Sequence, residues 1–358
     1  LNNIKEGGVV SFITSSKFGK ALYGEKLRQL LSSEMTIDLI VDYGSSHVFT
    51  AITNTWVLQA RKVKSSSKHQ IEIKPNISEP GRHIAQAQLN MSPWAFLDSE
   101  TEQLIEHVRA TGNTVLSMGY KIYLGLKTGC NEAFVIDQLT RDSLIQKDPK
   151  NAEIIKPLLR GRDIGHYEIK PAAKWILATK NGLDIASRYP TIAAFLHSKN
   201  LELEGRPEMR GDRGSHWMNL RDCSYYDAME SDKVIWLELS DKNKFAYSSG
   251  REFLLNSAWM IQGDHLKPLL AVLNSSLILY FFKFIANSSG MGTTQWRKYA
   301  VEELPLPDFS KLDKETLSIL EDLVDERSGL EISAYPSEVK AIERQLDEIV
   351  FSLYGLTT

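Results

Sequence analysis

The apolar and polar positions divide the chain into short elements. Val9–Thr14 (V-V-S-F-I-T), Ile37–Val41 (I-D-L-I-V) and Thr55–Ala60 (T-W-V-L-Q-A) are strand-length runs rich in β-branched residues. Lys20–Leu31 sets Leu22, Leu27, Leu30 and Leu31 near helical spacing. Strand–helix–strand–strand over residues 1–62 has too few layers to bury both faces of a sheet, so it reads as the end of a larger α/β sheet. The periodicity then fades: Val63–His69 is polar and serine-rich, and Lys74–Arg82 carries Pro75, Pro80 and Gly81. Residues 63–117 therefore read as a connector, with one short helix at Thr101–Arg109 and with Trp94 and Phe96 placed to dock on a neighbour.

Tyr120–Asp137 (Y-K-I-Y-L-G-L-K-T-G-C-N-E-A-F-V-I-D) organises the middle of the chain. Two apolar runs, Ile122–Leu126 and Ala133–Ile136, flank Lys127, Thr128, Gly129, Cys130, Asn131 and Glu132, which predicts a hairpin with a polar tip. A cation, a hydroxyl and an amide on a rigid base suit phosphate oxygens or base edges; a tip that meets only water is the alternative. Ala152–Leu159 reads as a helix ending at Arg160-Gly161-Arg162-Asp163, where Arg160 and Arg162 either straddle phosphates or belong to an ion-paired turn. Trp175–Ala178 reads as a strand and Thr191–His197 as a helix. Residues 205–223 form a glycine-containing basic loop with Arg206, Arg210, Arg213 and Arg221. Arg210 and Arg213 are its candidates for reading guanine, although Glu202, Glu204, Glu208 and Asp212 weaken the local charge. Lys233–Leu239, Phe253–Leu255 and Ala258–Ile261 read as strands, and Leu266–Phe284 as one apolar helix containing Asn274 and Ser275. Gly290–Lys298 is a turn carrying Gln295, Trp296, Arg297 and Lys298; Trp296 either stays outside or packs back. The tail predicts two amphipathic helices, the first capped by Asp313.

Composition changes the picture little. The 358 residues are 42% hydrophobic and 24% charged, which suits two or three globular domains. No apolar run approaches the length of a membrane span, and two cysteines, Cys130 and Cys223, fit reduced cytoplasmic thiols. The net charge of −3 is unevenly spread: residues 308–358 carry 5 basic and 12 acidic side chains, a net of −7, while residues 119–307 carry 25 and 22, a net of +3. The middle of the chain is free to present a basic face. Pro307-Asp308 with Glu338-Val339-Lys340 superficially fits a P-D…E-x-K nuclease pattern, but Glu338 and Lys340 fall in a helix with an apolar stripe.

The hairpin stretch, followed by I-K-P-L-L-R-G-R-D-I (Ile155–Ile164), L-L-A-V-L-N-S-S (Leu269–Ser276) and E-L-P-L-P (Glu303–Pro307), resembles the target-recognition domain of Taq-like and type IIG adenine-specific DNA methyltransferases. The N-terminal segment resembles the last strands of the same family's catalytic domain, with G-G-V-V-S-F-I-T from Gly7 and D-Y-G through Val48-Phe49. The resemblance is weakest between residues 182 and 232. It implies an α/β protein. Residues 1–62 would be the C-terminal part of the methyltransferase domain, 63–117 the connector, 118–308 the target-recognition domain and 309–358 a helical tail. It implies double-stranded DNA as partner, sequence recognition within a restriction–modification system, and S-adenosylmethionine as methyl donor to adenine in the full-length enzyme. It also implies that Phe49 stacks on the extruded adenine; a core plug is its alternative. The family's glycine-rich cofactor loop and N-P-P-Y do not occur here, so Leu1 reads as a cut inside a larger enzyme, no cofactor is expected on this part, and the part alone is expected to be inactive. A non-catalytic DNA-binding specificity subunit and an unrelated α/β scaffold remain as other readings.

Overall fold

Thr55–Arg61 is the strand on which the N-terminal sheet is built. In the computed structural model, which describes residues 3–20, 22–44, 54–91, 94, 96, 99–285 and 294–357, it pairs antiparallel with both Val9–Ser15 and Thr36–Asp42. Thr36–Asp42 then takes Gln70–Lys74 in parallel, and Arg82–Ala85 closes the five strands. Alternate residues Trp56, Leu58 and Ala60 bury against Ile37, Ile40, Ile71 and Ile73, with Phe18 and Leu31 completing the core. Trp94 and Phe96 dock as expected: Trp94 meets Phe18 edge-on and Phe96 lies 4.9 Å from Trp56. The two strands between residues 70 and 85 lie inside the stretch read as connector. Q-I-E-I-K alternates with only Ile71 and Ile73 as its signal, which proline and glycine on its far side obscure. On the outer strand Val9, Phe12 and Ile13 are exposed. These elements form one unit, 1–106 with 283–295; residues 107–282 with 296–358 form the other.

The second unit is built on two four-stranded sheets. Lys121–Leu124, Ala258–Gln262, Lys233–Leu237 and Phe245–Ser248 make one, antiparallel throughout. Val135–Asp137, Lys174–Leu177, Ile155–Leu159 and Phe253–Leu254 make the other, its last pair parallel. One hydrophobic cluster draws on both, including Phe134, Leu158, Ile176, Phe253, Ile235 and Met260. Three expectations are corrected. Residues 120–137 are not a hairpin: the first run enters one sheet and the second the other, with a short helix, Asn131–Phe134, between them. Ile155–Leu159 is a strand rather than the end of a helix. Pro157 is tolerated because the parallel neighbour reaches only Leu158 and Leu159. Leu266–Asn274 and Ser276–Ile285 are two helices rather than one.

The break has a polar cause. Asn274 sits buried where its Oδ1 accepts from Phe245 N (3.1 Å) and its Nδ2 donates to Phe245 O (2.9 Å). Asn243 Nδ2 donates to both Leu273 O and Ser275 O at 3.0 Å, covering carbonyls that the interrupted helix leaves. The axes diverge by 59°, and among the described residues no single helix is long and apolar enough to cross a membrane. Replacing Asn274 with leucine is expected to cost about 2–4 kcal/mol, since it strands a buried amide and a buried carbonyl at once; urea denaturation reads this, and a change under about 0.5 kcal/mol, typical of a surface site, would remove the explanation.

Lys314–Gly329 and Pro336–Leu353 pack in this unit as the expected tail helices, and the Asp313 carboxylate accepts from Thr316 N at 2.8 Å as their cap. Glu338 and Lys340 are helical, so the nuclease pattern lacks the paired strands that it needs.

Lys233 is fully buried and its Nζ donates to Met229 O (2.8 Å) and Ser231 O (3.2 Å). Burial pushes its pKa down to about 8 from 10.5. Between those values the unfolded chain binds more protons than the folded one. Stability is therefore lowest below about pH 8 and climbs by about 3 kcal/mol as pH rises toward 10.5. Denaturant midpoints at both ends of that window should show the rise, and Lys233→Met should lack it.

Candidate nucleic-acid interface

The C-terminal ends of four strands meet where the two sheets join. After Lys121–Leu124, the amides of Gly125 and Leu126 donate to Ala258 O (2.9 Å) and Leu254 O (2.7 Å), and Asn256 N donates back to Leu126 O (3.0 Å). After Ile155–Leu159, Gly161 N donates to Ser257 Oγ (3.4 Å). After Lys233–Leu237, Glu238 N reaches Ser257 O (3.5 Å). Residues 255–257, which follow Phe253–Leu254, therefore tie together the three other strand ends. Glycine is needed twice for this closeness: a Cβ on Gly125 would lie 2.1 Å from Leu255 O, and one on Gly161 2.2 Å from Leu237 Cδ1.

The expected site residues divide on this frame into exposed groups and framework. Lys127 is half-exposed, with Nζ 3.9 Å from Asp212. Thr128 is buried, donating to Asn131 Oδ1 (2.7 Å) and accepting from Cys130 N (3.2 Å), so its hydroxyl shapes the turn and does not face outward as expected. Asn131 is exposed. Arg160 is gripped by Asp163 through Nε (3.0 Å) and Nη2 (2.8 Å), the ion-paired turn of the sequence alternatives, while Arg162 is exposed on that turn. Burial works to raise the Asp163 carboxyl, but the hydrogen bonds from Arg160 outweigh it and hold it below its usual range.

Arg210 corrects the picture of an open basic loop. Its side chain is turned inward, donating from Nε to Asp212 O (3.1 Å), from Nη1 to Pro207 O (2.9 Å) and to Trp217 O, and from Nη2 to Asn219 O (2.6 Å). Its guanidinium lies 4.3 Å from the Phe134 ring centre. Burial lowers its pKa to about 10, still charged at neutral pH. Arg213 is exposed and donates to Glu208 O. Arg297 is exposed beside Glu238 (3.3 Å) and Lys298 pairs with Glu302 (3.5 Å), while Trp296 packs back, stacked on Phe282 at 3.7 Å. Gln295 belongs to the other unit, and Phe49 lies outside the described residues.

Sequence reasoning placed Arg221 in the basic loop without singling it out, and passed over Tyr225, Asn256 and Ser257. Arg221, 61% exposed, pairs with Asp212 at 3.3 Å. Tyr225 stacks on Tyr123 (4.7 Å, 21°) and, with Lys127 and Arg221, lines a groove of about 370 Å³. Asn256 and Ser257 are exposed at the turn that joins the strand ends. Asn-Ser between two apolar runs was a legible turn signal; the meeting of Tyr225 with Lys127, a hundred residues apart, was not.

Residues 156–306, which hold most of this frame, match the model of the TaqI-like C-terminal specificity domain, and residues 1–49 match that of the Eco57I restriction-modification methylase. Residues 156–306 are similar to TaqI-like C-terminal specificity domains. Among its relatives is the type II methyltransferase M.XhoI of Xanthomonas vasicola, 21% identical over 344 residues that cover 88% of this chain and 61% of the relative. Another, the type II methyltransferase M.PaeR7I of Pseudomonas aeruginosa, is 20% identical over 100% of this chain and 63% of its own length. The chain thus spans less than two thirds of either. The fold is shared with the type IIL restriction-modification enzyme MmeI, solved in complex with DNA: TM-score 0.61, 13% identity, 98% of this chain and 47% of that one. The exposed groups Arg162, Arg213, Arg221, Asn256 and Arg297 all fall within the matched residues, whereas Lys127 and Asn131 precede them.

Proposed function

We propose that this chain reads sequence in double-stranded DNA as the recognition part of an adenine-specific methyltransferase of a restriction–modification system, working in the cytoplasm. The strip of exposed cations and amides along the joined strand ends carries the reading. Lys127, Arg221 and Lys298 suit phosphate oxygens; Arg162, Arg213, Arg297, Asn131 and Asn256 have the fork or amide geometry that pairs with base edges. Thr128, Arg160 and Arg210 hold the frame. The match of residues 1–49 to a methylase supports this over a free-standing specificity subunit.

Methyl transfer would draw on S-adenosylmethionine. The residues described here do not fit it: Val9–Ser15 passes directly through Ser16 into the helix Lys17–Lys20 without a glycine-rich turn. The N-P-P-Y motif is likewise not among the 358 residues. The 358-residue chain given cofactor and plasmid DNA is therefore expected to methylate nothing, and any methylation at a defined site would contradict the reading. In the complete enzyme, Phe49→Ala should slow methylation about 5- to 150-fold through lost stacking, about 1–3 kcal/mol, and leave the target unchanged. Arg162→Ala or Arg213→Ala should relax one base pair by a similar energy if the side chain reaches a guanine. Rates across singly substituted sites decide: a changed target for Phe49→Ala, with neither arginine change relaxing it, overturns the assignment of roles.

A further inference from the structure

We infer that the groove between 124–127 and 221–225 seats one DNA phosphodiester, and that Asp212 competes with that phosphate for the two cations at its rim. The inference rests on the DNA-recognition reading above and names how one contact in it works.

Lys127 and Arg221 both line the groove. One carboxylate bridges them: Lys127 Nζ is 3.9 Å from Asp212 Oδ2, and Arg221 Nη1 is 3.3 Å from Oδ1, while the other carboxylate at the groove, Asp222, accepts from Cys223 N through its own Oδ1 (3.1 Å). One anion thus bridges two cations through separate oxygens, which is the arrangement that a phosphate's two free oxygens would take up. Asp212 is held in place by its backbone. Its carbonyl accepts from the buried Arg210 (3.1 Å), and Gly129, at φ +68°, is packed so close that a Cβ there would be 2.6 Å from that carbonyl. The backbone is therefore fixed while the carboxylate, 39% exposed, is free to turn away. Both pairs are hydrated surface pairs of the weak kind, so an incoming phosphate has little to break. Tyr225, braced on Tyr123, offers an aromatic wall beside the seat for the adjoining sugar. The resident carboxylate repels backbone that does not dock fully, so it selects against loose association with DNA of any sequence.

The test uses the 358-residue chain and a mixed-sequence duplex. Asp212→Asn, which keeps the shape and removes the charge, should bind roughly 3- to 10-fold tighter at low salt, with a log K against log salt slope steeper by about 1. Asp212→Glu should behave as the original, and adding Lys127→Ala to Asp212→Asn should cancel most of the gain. Inorganic phosphate at matched ionic strength should compete poorly; if it abolishes the gain, the seat belongs to free phosphate and the DNA assignment is overturned. If the original chain binds and Asp212→Asn binds equally or more weakly, with an unchanged urea midpoint, the competition is overturned while DNA recognition stands. If the gain persists without Lys127, the two-cation seat is overturned. If neither protein binds duplex at low salt, the recognition reading falls and this inference with it.

Discussion

Replacing Arg210 with alanine is expected to destabilise the second unit by about 3–5 kcal/mol, the range for disrupting a buried charged network. The guanidinium satisfies four carbonyls, those of Pro207, Asp212, Trp217 and Asn219, and covers the face of Phe134. Alanine would remove the side-chain donor from all four carbonyls, of which Pro207 O and Asn219 O keep a backbone donor (Arg210 N and Gly214 N), and open a cavity against the ring. Lysine would rescue little, because one ammonium cannot reproduce the fork that meets carbonyls on opposite sides. Arg213→Ala, three residues on and exposed, should stay within about 0.5 kcal/mol, as surface changes do. Chemical denaturation of both variants makes the comparison, and near-equal midpoints would show that the inward arginine is not the loop's anchor.

A second large effect is expected from removing the exposed cations together. Lys127, Arg221 and Lys298 make few contacts that the fold needs, so the triple alanine variant should keep its denaturation midpoint. If Lys127 and Arg221 share one phosphate and Lys298 holds another, the variant loses roughly two released counterions, each worth a factor of about 8 at 0.1 M salt. Together these predict roughly 60-fold weaker duplex binding, similar for all sequences where the cations meet phosphate. A weakening below about 5-fold, less than one phosphate partner supplies, would place the DNA on another face.

The difference between Arg210 and Arg213 marks how far the sequence could be read. Strand positions such as Trp56, Leu58 and Ala60 were legible because alternation reports burial on one face of a sheet, and the tail helices because an apolar stripe follows the Asp313 cap. Partner choice was not. Lys121–Leu124 and Val135–Asp137 look like two arms of a hairpin, yet each finds its partners more than thirty residues away and in separate sheets. Ile155–Leu159 has apolar spacing that suits either a helix or a strand, and only its neighbours Lys174–Leu177 and Phe253–Leu254 decide it. The same limit governs the site. Four arginines between residues 206 and 221 are chemically alike in sequence. One is sequestered because the loop gathers four carbonyls, those of Pro207, Asp212, Trp217 and Asn219, around its guanidinium, a fact set by loop geometry. Lys127 was identifiable from its own turn, whereas Tyr225 and Asn256 gained meaning only once the strand ends converged.

The direct measurement is binding of the 358-residue chain to a mixed-sequence duplex as salt rises from 50 to 200 mM. Two to three phosphate contacts predict a slope of log K against log salt of about −2 to −3, an affinity loss of roughly 10- to 50-fold, with the retained DNA sharing a common short sequence. Absence of binding at 50 mM, or binding that salt leaves unchanged, would contradict recognition of DNA by the joined strand ends.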